Sequence, residues 1–482
     1  MNTKKLLALL FVLVLVCGMF AACKDDPDEP DTSQPTAEWT YTGDNTFYFR
    51  GSTFIPKNPR DYTDAEKEAA AAVPPNYSVE EEAMMNKVAE VEDRYGVTIV
   101  CDPDTSIWLM DVSEFAAMVA SGEIPVDIFH SELGFARDLY LTNYIEPMSN
   151  LEAIDLSNDA KWGGENKLAM TSYKGEVWGI PCIGSNYAPV PQIYYGVLLY
   201  NHDTYDSYNL DKTPEEMLED GTWTFDGFLE LLPQVTNNSE TDTRWALQYP
   251  PVEATGNIVF NAILANGGNK VIQNADGKYV CGIAEPNAIA AMEWVQQVMN
   301  LGEYTIKQDK SKELDNFNEN RVTFLLTDGN RIFREIAKLI PAEDYAWMPF
   351  PYGPDAEYGQ TSSAYITSAD SVMTIFRSED PERSQAAAIL FNDIVDTVSI
   401  AGSSDYNEYL FRNYFAEGDE DSFNIYLELS QSTNYNYALE YGVAEGRFVN
   451  LCKSVVTGDI SPSSTVPQLV DIINGALDKS MN

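Results

Sequence analysis

Hydrophobic positions divide the chain into one continuous apolar run, one stretch without large apolar residues, and a long region of alternating periodicities. The continuous run is Leu6 to Phe20, preceded by Lys4 and Lys5 and followed by Ala21, Ala22 and Cys23. It is too short to span a bilayer comfortably, so it reads as the apolar region of a secretory signal. Lys24 to Glu38 (KDDPDEPDTSQPTAE) contains no large apolar residue. Such a segment buries too little surface to offset its chain entropy, which predicts an extended, disordered spacer. Trp39 and Tyr41 mark the start of foldable composition.

Beyond that point strands and helices alternate. Thr46 to Phe49 is a short aromatic strand that runs into a loop at Arg50-Gly51-Ser52-Thr53, and a polar stretch with several prolines comes next. From about Glu80 to Tyr95, residues Met84, Val88, Val91 and Tyr95 recur at spacings of four and three. That spacing predicts a helix, with Ser78 as N-cap and Gly96 as its stop. Strands are expected over Val97–Val100 and Val126–Phe129, with a helix from Val112 to Ser121 between them. This rhythm predicts a mostly parallel α/β domain. Ligands of such sheets sit beyond the carboxyl ends of the strands. The rule selects Ser52 and the segment His130-Ser131-Glu132, read as loops at those ends. Farther along, Gly196 to Tyr200 reads as a buried strand. Proline closes strands at Ile180-Pro181 and at Leu247–Pro250. A helix is expected from Asp226 to Leu232, capped by Asp226 or Thr224. From Tyr406 onward the pattern is helical.

Charge and composition narrow the function. The full chain carries 30 basic and 75 acidic residues, a net charge of −45, and loss of a signal containing Lys4 and Lys5 takes it to −47. Nucleic acid and anionic lipid both require basic surface, so neither is expected as a partner. The 28 Tyr, 21 Phe and 8 Trp must largely be core, but a surplus of Tyr and Trp also suits a site that stacks on sugar rings. Cys17 leaves with the signal, and Cys101, Cys182, Cys281 and Cys452 are scattered without a metal-binding spacing, so no metal or other cofactor is expected. Spacing does not say whether these four pair. With only two histidines, His130 and His202, a Ser-His-Asp or Cys-His nucleophile is disfavoured, while chemistry by paired carboxylates stays open.

Several segments resemble a known family. Phe20-Ala21-Ala22-Cys23 resembles a bacterial lipobox, in which the cysteine becomes a lipidated N-terminus after cleavage. Ala120–Ile128 (ASGEIPVDI) resembles the "SGxxPD" segment of the extracellular solute-binding proteins that serve ABC importers, in the sugar-binding branch. Tyr144–Met148 and Tyr173–Pro181 (YKGEVWGIP) are similar to the next two motifs, the second close to "Y-x-G-K-x-Y-G-x-P". Gly196–Asp203 (GVLLYNHD) and Gly221–Phe228 (GTWTFDGF) come at the family's distance. Leu264–Gly268 with Asn274–Lys278, Phe317–Arg331 and Met348–Pro354 complete the order. Residues 53–78 and the segment after about 405 fit the pattern poorly.

The resemblance implies a type II periplasmic-binding-protein-like fold, with two α/β lobes joined by crossing hinge strands that close on ligand. Residues 1–22 would be the signal peptide and 23–40 the lipidated acidic linker. Residues 41–182 and 350–400 would form one lobe, and 194–346 with 405–482 the other. Crossings are expected near Cys182–Gly196, Ala346–Phe350 and Thr397–Asp405. It further implies a monomeric receptor on the outer face of the cell membrane, tethered there only by lipid on Cys23. Such a receptor binds a mono- or oligosaccharide and hands it to the transmembrane subunits of an ABC permease, with no catalysis.

Within that frame the ligand-contacting candidates are Ser52, His130, Ser131 and Glu132 in the first lobe and Tyr187 in a crossing. Tyr249, Asn330 and Arg331 come from the second lobe, and Ser363 and Tyr365 from the return. His130 and Glu132 are equally read as surface residues without a role. Arg331 stands where the family carries a cleft tryptophan, and suits either stacking on a ring or pairing with a carboxylate of an acidic sugar. Trp223 reads as structural, and Asp328 as either a hydroxyl acceptor or a helix cap. Two rival readings remain: an exported glycoside hydrolase with two carboxylates flanking its cleft, and a passive surface glycan-binding lipoprotein.

Overall fold

The periodic stripe at Met84, Val88 and Val91 lies on a helix, Val79–Tyr95, that buries all three side chains. Gly96 ends it with a φ of 66°, a left-handed turn that a residue with a Cβ rarely adopts, and donates its N–H to the Glu92 carbonyl at 2.8 Å. This computed structural model describes residues 38–51, 55–77, 79–103, 110–162, 164, 168–181, 195–239, 242–249, 256–302, 305–307, 314–328, 331–359, 371–395, 406–431 and 445–480. Met1–Trp39 separates from the unit formed by Thr40–Asn482, and every described strand and helix belongs to the second. The signal, Cys23, Ser52, Ser78, Tyr187, Asn330, Ser363 and Tyr365 lie outside the described residues.

Two six-stranded sheets organise the second unit. The first contains β1 (Thr46–Arg50), β2 (Thr98–Asp102), β3 (Ile128–Glu132), β4 (Ile145–Glu146) and β5 (Ile180–Pro181). The second contains β6 (Tyr195–Asn201), β7 (Asn237–Ser239), β8 (Asp242–Tyr249), β9 (Thr305–Lys307), β10 (Val322–Asp328) and β11 (Tyr345–Met348). The chain then supplies the first sheet with its sixth strand, β12 (Ser371–Phe376). The first sheet runs β2-β1-β3-β12-β4, with β5 also on β12. β1, β2 and β3 are parallel, and β12 is antiparallel to its neighbours. The second runs β9-β8-β10-β6-β11, with β8 parallel to both β9 and β10.

β3 begins two residues later than the sequence predicts, at Ile128, although the Asp127 N–H still donates to the Tyr48 carbonyl at 3.0 Å and its carbonyl accepts the Phe376 N–H at 2.9 Å. Its carboxylate accepts the Tyr48 N–H at 2.9 Å and is gripped by Arg383 at 2.6 and 2.8 Å. Arg383 also donates to the Thr46 carbonyl at 2.7 Å and lies over the Phe47 ring, so one guanidinium clasps β1 to the segment before β3. At its other end β3 runs farther than expected. β12 pairs with it from Ile128 through Glu132, so His130 and Ser131 are buried strand residues and not loop residues.

Around the second sheet, the core takes in Trp223, Trp294 and Trp347 together with helices Tyr406–Tyr414, Glu420–Gln431, Glu445–Thr457 and Val470–Ser480. Trp223 is fully buried and donates its indole N–H to the Pro349 carbonyl at 3.0 Å, which makes it structural. Thr224, not Asp226, caps the helix Phe225–Leu231, accepting from the Gly227 N–H at 3.1 Å. The segment after β11 departs from expectation. Tyr352 bridges to Thr224, the Gly353 N–H donates to the Ala265 carbonyl, and the Tyr358 hydroxyl donates to that of Leu218. Residues 350–358 therefore pack against elements of the second sheet, with Asn266 Oδ1 accepting the Asp355 N–H at 2.9 Å. Among the described cysteines, Cys101, Cys281 and Cys452 are free and buried.

Several helices go beyond the sequence expectation, Leu133–Leu141, Gly256–Ala265, Pro286–Asn300 and Pro381–Ile394 among them, and one bears on the site. Asp64–Ala72 lies within the proline-containing stretch and has no buried residue. Its start is fixed by a capping box, in which Glu66 N–H donates to Thr63 Oγ1 at 3.3 Å and Thr63 N–H donates to Glu66 Oε2 at 2.6 Å.

Candidate functional site

From β1 the chain moves to β2 on one side and returns to β3 on the other, so the strand order reverses between β1 and β3. A crevice opens at such a reversal, beyond the carboxyl ends, and is where doubly wound sheets take their ligands. Gly51 turns the chain out of β1 with a φ of 76°, its N–H donating to the Asp102 carbonyl at 3.1 Å. Arg50 and Asp102, opposite each other in register, are joined by an ion pair, and Arg50 Nε also donates to the Pro125 carbonyl at 2.6 Å. Glu132, half-buried, ends β3 on the far side of this crevice.

The three candidates on β3 have different environments. His130 is 4% exposed, and burial pushes its imidazole down to about 4, with the Gly51 backbone pulling weakly the other way. It is neutral at physiological pH. Ser131 is fully buried and its hydroxyl donates to the Glu132 carbonyl at 3.3 Å. Of the three, Glu132 alone reaches partial exposure.

The second sheet repeats the arrangement. β8 and β10 are parallel neighbours, and their carboxyl ends bring Tyr249 and Arg331 to one edge although 82 residues separate them in sequence. Tyr249 ends β8, half-buried against the second core, and burial raises its phenol above the ordinary value. Arg331 comes after β10 and opens a single π-helical turn, Ile332–Ile336, its guanidinium 3.8 Å from the Glu335 carboxylate. Short π segments are frequent at functional sites.

Sequence reading missed Lys57, Tyr62, Glu66 and Asp102, which line an open cavity of about 920 Å³ beyond the end of β2. The signal that would have found the wall of this cavity is the Thr63-x-x-Glu66 capping box. Among the described residues no group of three or more His, Cys, Asp or Glu side chains is placed to hold a metal ion. No helix among them is long and apolar enough to cross a membrane.

A sequence model of the family described as bacterial extracellular solute-binding protein matches residues 77–376. No curated protein sequence matches the chain significantly. Among solved structures, a cyclo/maltodextrin-binding protein complexed with maltotetraose superposes with a TM-score of 0.60 at 12% identity, covering 92% of this chain and 100% of its own. The cyclic alpha-maltosyl-1,6-maltose binding protein of Arthrobacter globiformis gives 0.59 at 13% identity, covering 91% and 100%. UgpB of Mycobacterium tuberculosis in complex with glycerophosphocholine gives 0.58 at 14%, again covering 91% and 100%. At such identities the likeness is one of fold, and that fold is type II periplasmic-binding-protein-like.

Proposed function

Since the chain belongs to the bacterial extracellular solute-binding protein family, we propose that it is a lipid-anchored receptor for a carbohydrate, which it delivers to an ABC permease. The two sheets are the cores of two lobes, and ligand binds between the carboxyl ends of their parallel strands. The observation that carries this reading is the placement of Tyr249 and Arg331 at one strand edge of the second sheet, with Gly51 and Glu132 flanking the strand reversal of the first. A phenol face, a guanidinium and a carboxylate are groups that stack on and hydrogen-bond to a polyhydroxylated ring. That three proteins of like fold are titled as binding maltotetraose, a cyclic maltosyl sugar and glycerophosphocholine supports a small hydroxylated solute. Closure follows from preferential affinity of the ligand for the closed form. Lipid on Cys23 and the acidic spacer hold a monomeric receptor at the outer face of the membrane and raise its effective concentration near the permease.

A thermal-shift screen of the mature chain against neutral sugars and uronates tests the reading, because a ligand of the native state raises the melting temperature. The expected result is a hit that binds one to one, compacts the protein in small-angle scattering and is recovered unaltered. Cleavage of a bound oligosaccharide by the pure protein would assign it instead to the hydrolases, and binding without compaction to passive glycan binders.

A further inference from the structure

The segment between β1 and the helix Val79–Tyr95 lies almost wholly ahead of residues 77–376, which the family model matches. It builds one wall of the open cavity of about 920 Å³, whose lining includes Lys57, Tyr62, Glu66, Ala70, Val73 and Asp102. Three observations give that space a role.

The first is position. Asp102 is the last residue of β2 and stands opposite Arg50, the last residue of β1. The cavity therefore opens beyond the carboxyl end of β2, on the other side of β1 from the strand reversal. Neighbouring strands are about 4.8 Å apart, so the ends of β3 and β2 are about 10 Å apart, farther than a single sugar ring reaches.

The second is the wall itself. None of the residues of Asp64–Ala72 is buried. The helix is held by its own capping box and by Lys57, whose ammonium lies 3.1 Å from both oxygens of Glu66. Glu66, Ala70 and Val73 recur at spacings of four and three, which places them on one face. All three line the cavity, and Val73 is 76% exposed. The helix thus stands off the core as a partition with open space against it.

The third is charge. Of the three acidic residues that line the cavity, Glu66 is matched by Lys57 and Asp102 by Arg50, and Glu81 is the third. Beside them the hydroxyls of Tyr62 and Tyr77 are 2.7 Å apart. Ion pairs, phenol hydroxyls and alanine methyls together suit a ligand with hydroxyl groups and C–H faces.

We propose that the segment 56–75 forms an added subsite that prolongs the ligand cleft past β2 and makes the protein selective for saccharides of several units. The inference rests on the carbohydrate-receptor reading and specifies its substrate class.

The test is titration calorimetry of the mature chain with matched short and long probes: maltose and maltoheptaose, xylobiose and xylohexaose, cellobiose and cellohexaose. One long probe is expected to bind about tenfold or more tightly than its disaccharide, a step worth ~1.4 kcal/mol. In Ala70→Trp, and independently in Ala69→Trp, an indole occupies the cavity, and the ratio of long- to short-chain affinity is expected to fall to near one. Both positions lie on a helix without buried residues, and an unchanged melting temperature verifies folding. A ratio near one in the unmodified protein, or a ratio that survives both substitutions, overturns the subsite and leaves the receptor reading standing. Failure of all six neutral probes to bind overturns the subsite, and the receptor reading falls with it only if the wider screen of neutral sugars and uronates also gives no hit.

Discussion

Acidification should destabilise this protein through His130 in a manner that can be isolated from its many carboxylates. His130 is 4% exposed on β3, and burial lowers its affinity for a proton from the ordinary 6.5 to about 4. As pH falls below 6.5, the unfolded chain binds a proton at this imidazole while the native state does not. The unfolded state then holds more protons, so stability falls with pH until the native imidazole also titrates near 4. At about 1.4 kcal/mol for each tenfold change in proton affinity, the full interval is worth about 3 kcal/mol. Carboxylates titrate over part of the same range, so the informative quantity is a difference. Urea unfolding followed by tryptophan fluorescence, repeated at successive pH values, would give the slope for the unmodified protein and for His130→Leu. The unmodified protein should lose about 3 kcal/mol more than the variant between neutral pH and pH 4. Their absolute stabilities will differ for packing reasons and carry no weight. Parallel slopes would refute the reasoning, because they would mean that the imidazole is solvated well enough to protonate in place.

Other expectations concern single contacts. Arg383→Met leaves the Asp127 carboxylate, 7% exposed, with the Tyr48 N–H as its remaining described partner, and should cost about 3 kcal/mol in denaturant unfolding. A loss below about 1 kcal/mol would mean that Asp127 finds water instead. Trp223→Phe removes the donor to the Pro349 carbonyl and should cost about 1–2 kcal/mol, read as a lower melting temperature. Burial pushes the thiols of Cys101 and Cys452 up to about 12 and that of Cys281 to about 11, so site-resolved alkylation near neutral pH should find all three inert until the protein unfolds. Rapid labelling of any one would contradict its burial. Arg331→Ala should weaken binding of an acidic saccharide by about tenfold or more, and unchanged affinities for acidic and neutral sugars alike would place Arg331 outside the site.

Much of the local structure is legible in the sequence because it is written in short-range pattern. The helix Val79–Tyr95 follows from its apolar spacing, its stop from Gly96, and the cap at Thr224 from a hydroxyl ahead of a helix. The departures have long-range causes. The clasp at the start of β3 is invisible in local pattern because the partner of the Asp127 carboxylate is Arg383, 256 residues away. His130 and Ser131 are strand where local pattern predicts loop, because β12, which covers them, arrives more than 230 residues later. The helix Asp64–Ala72 escapes detection because a helix that buries nothing leaves no apolar stripe, and only its capping box betrays it. Of the candidate site, Tyr249 and Arg331 are each legible individually, while their shared edge depends on β8 pairing with β10.

The internal position of β12 has a consequence for when the protein can fold. This strand lies between β3 and β4 and also pairs with β5, so the first sheet is split until residue 376 exists. The clasp on Asp127 waits equally for Arg383. A ribosome that has made the first 370 residues has therefore produced β1 to β5 without the strand that joins the group β2-β1-β3 to β4 and β5. Pairing of such high sequence separation is slow and comes late. The N-terminal sheet should remain open for nearly the whole of synthesis, and a chain truncated before Ser371 should show β1 to β5 unprotected in hydrogen exchange even if the second sheet has formed.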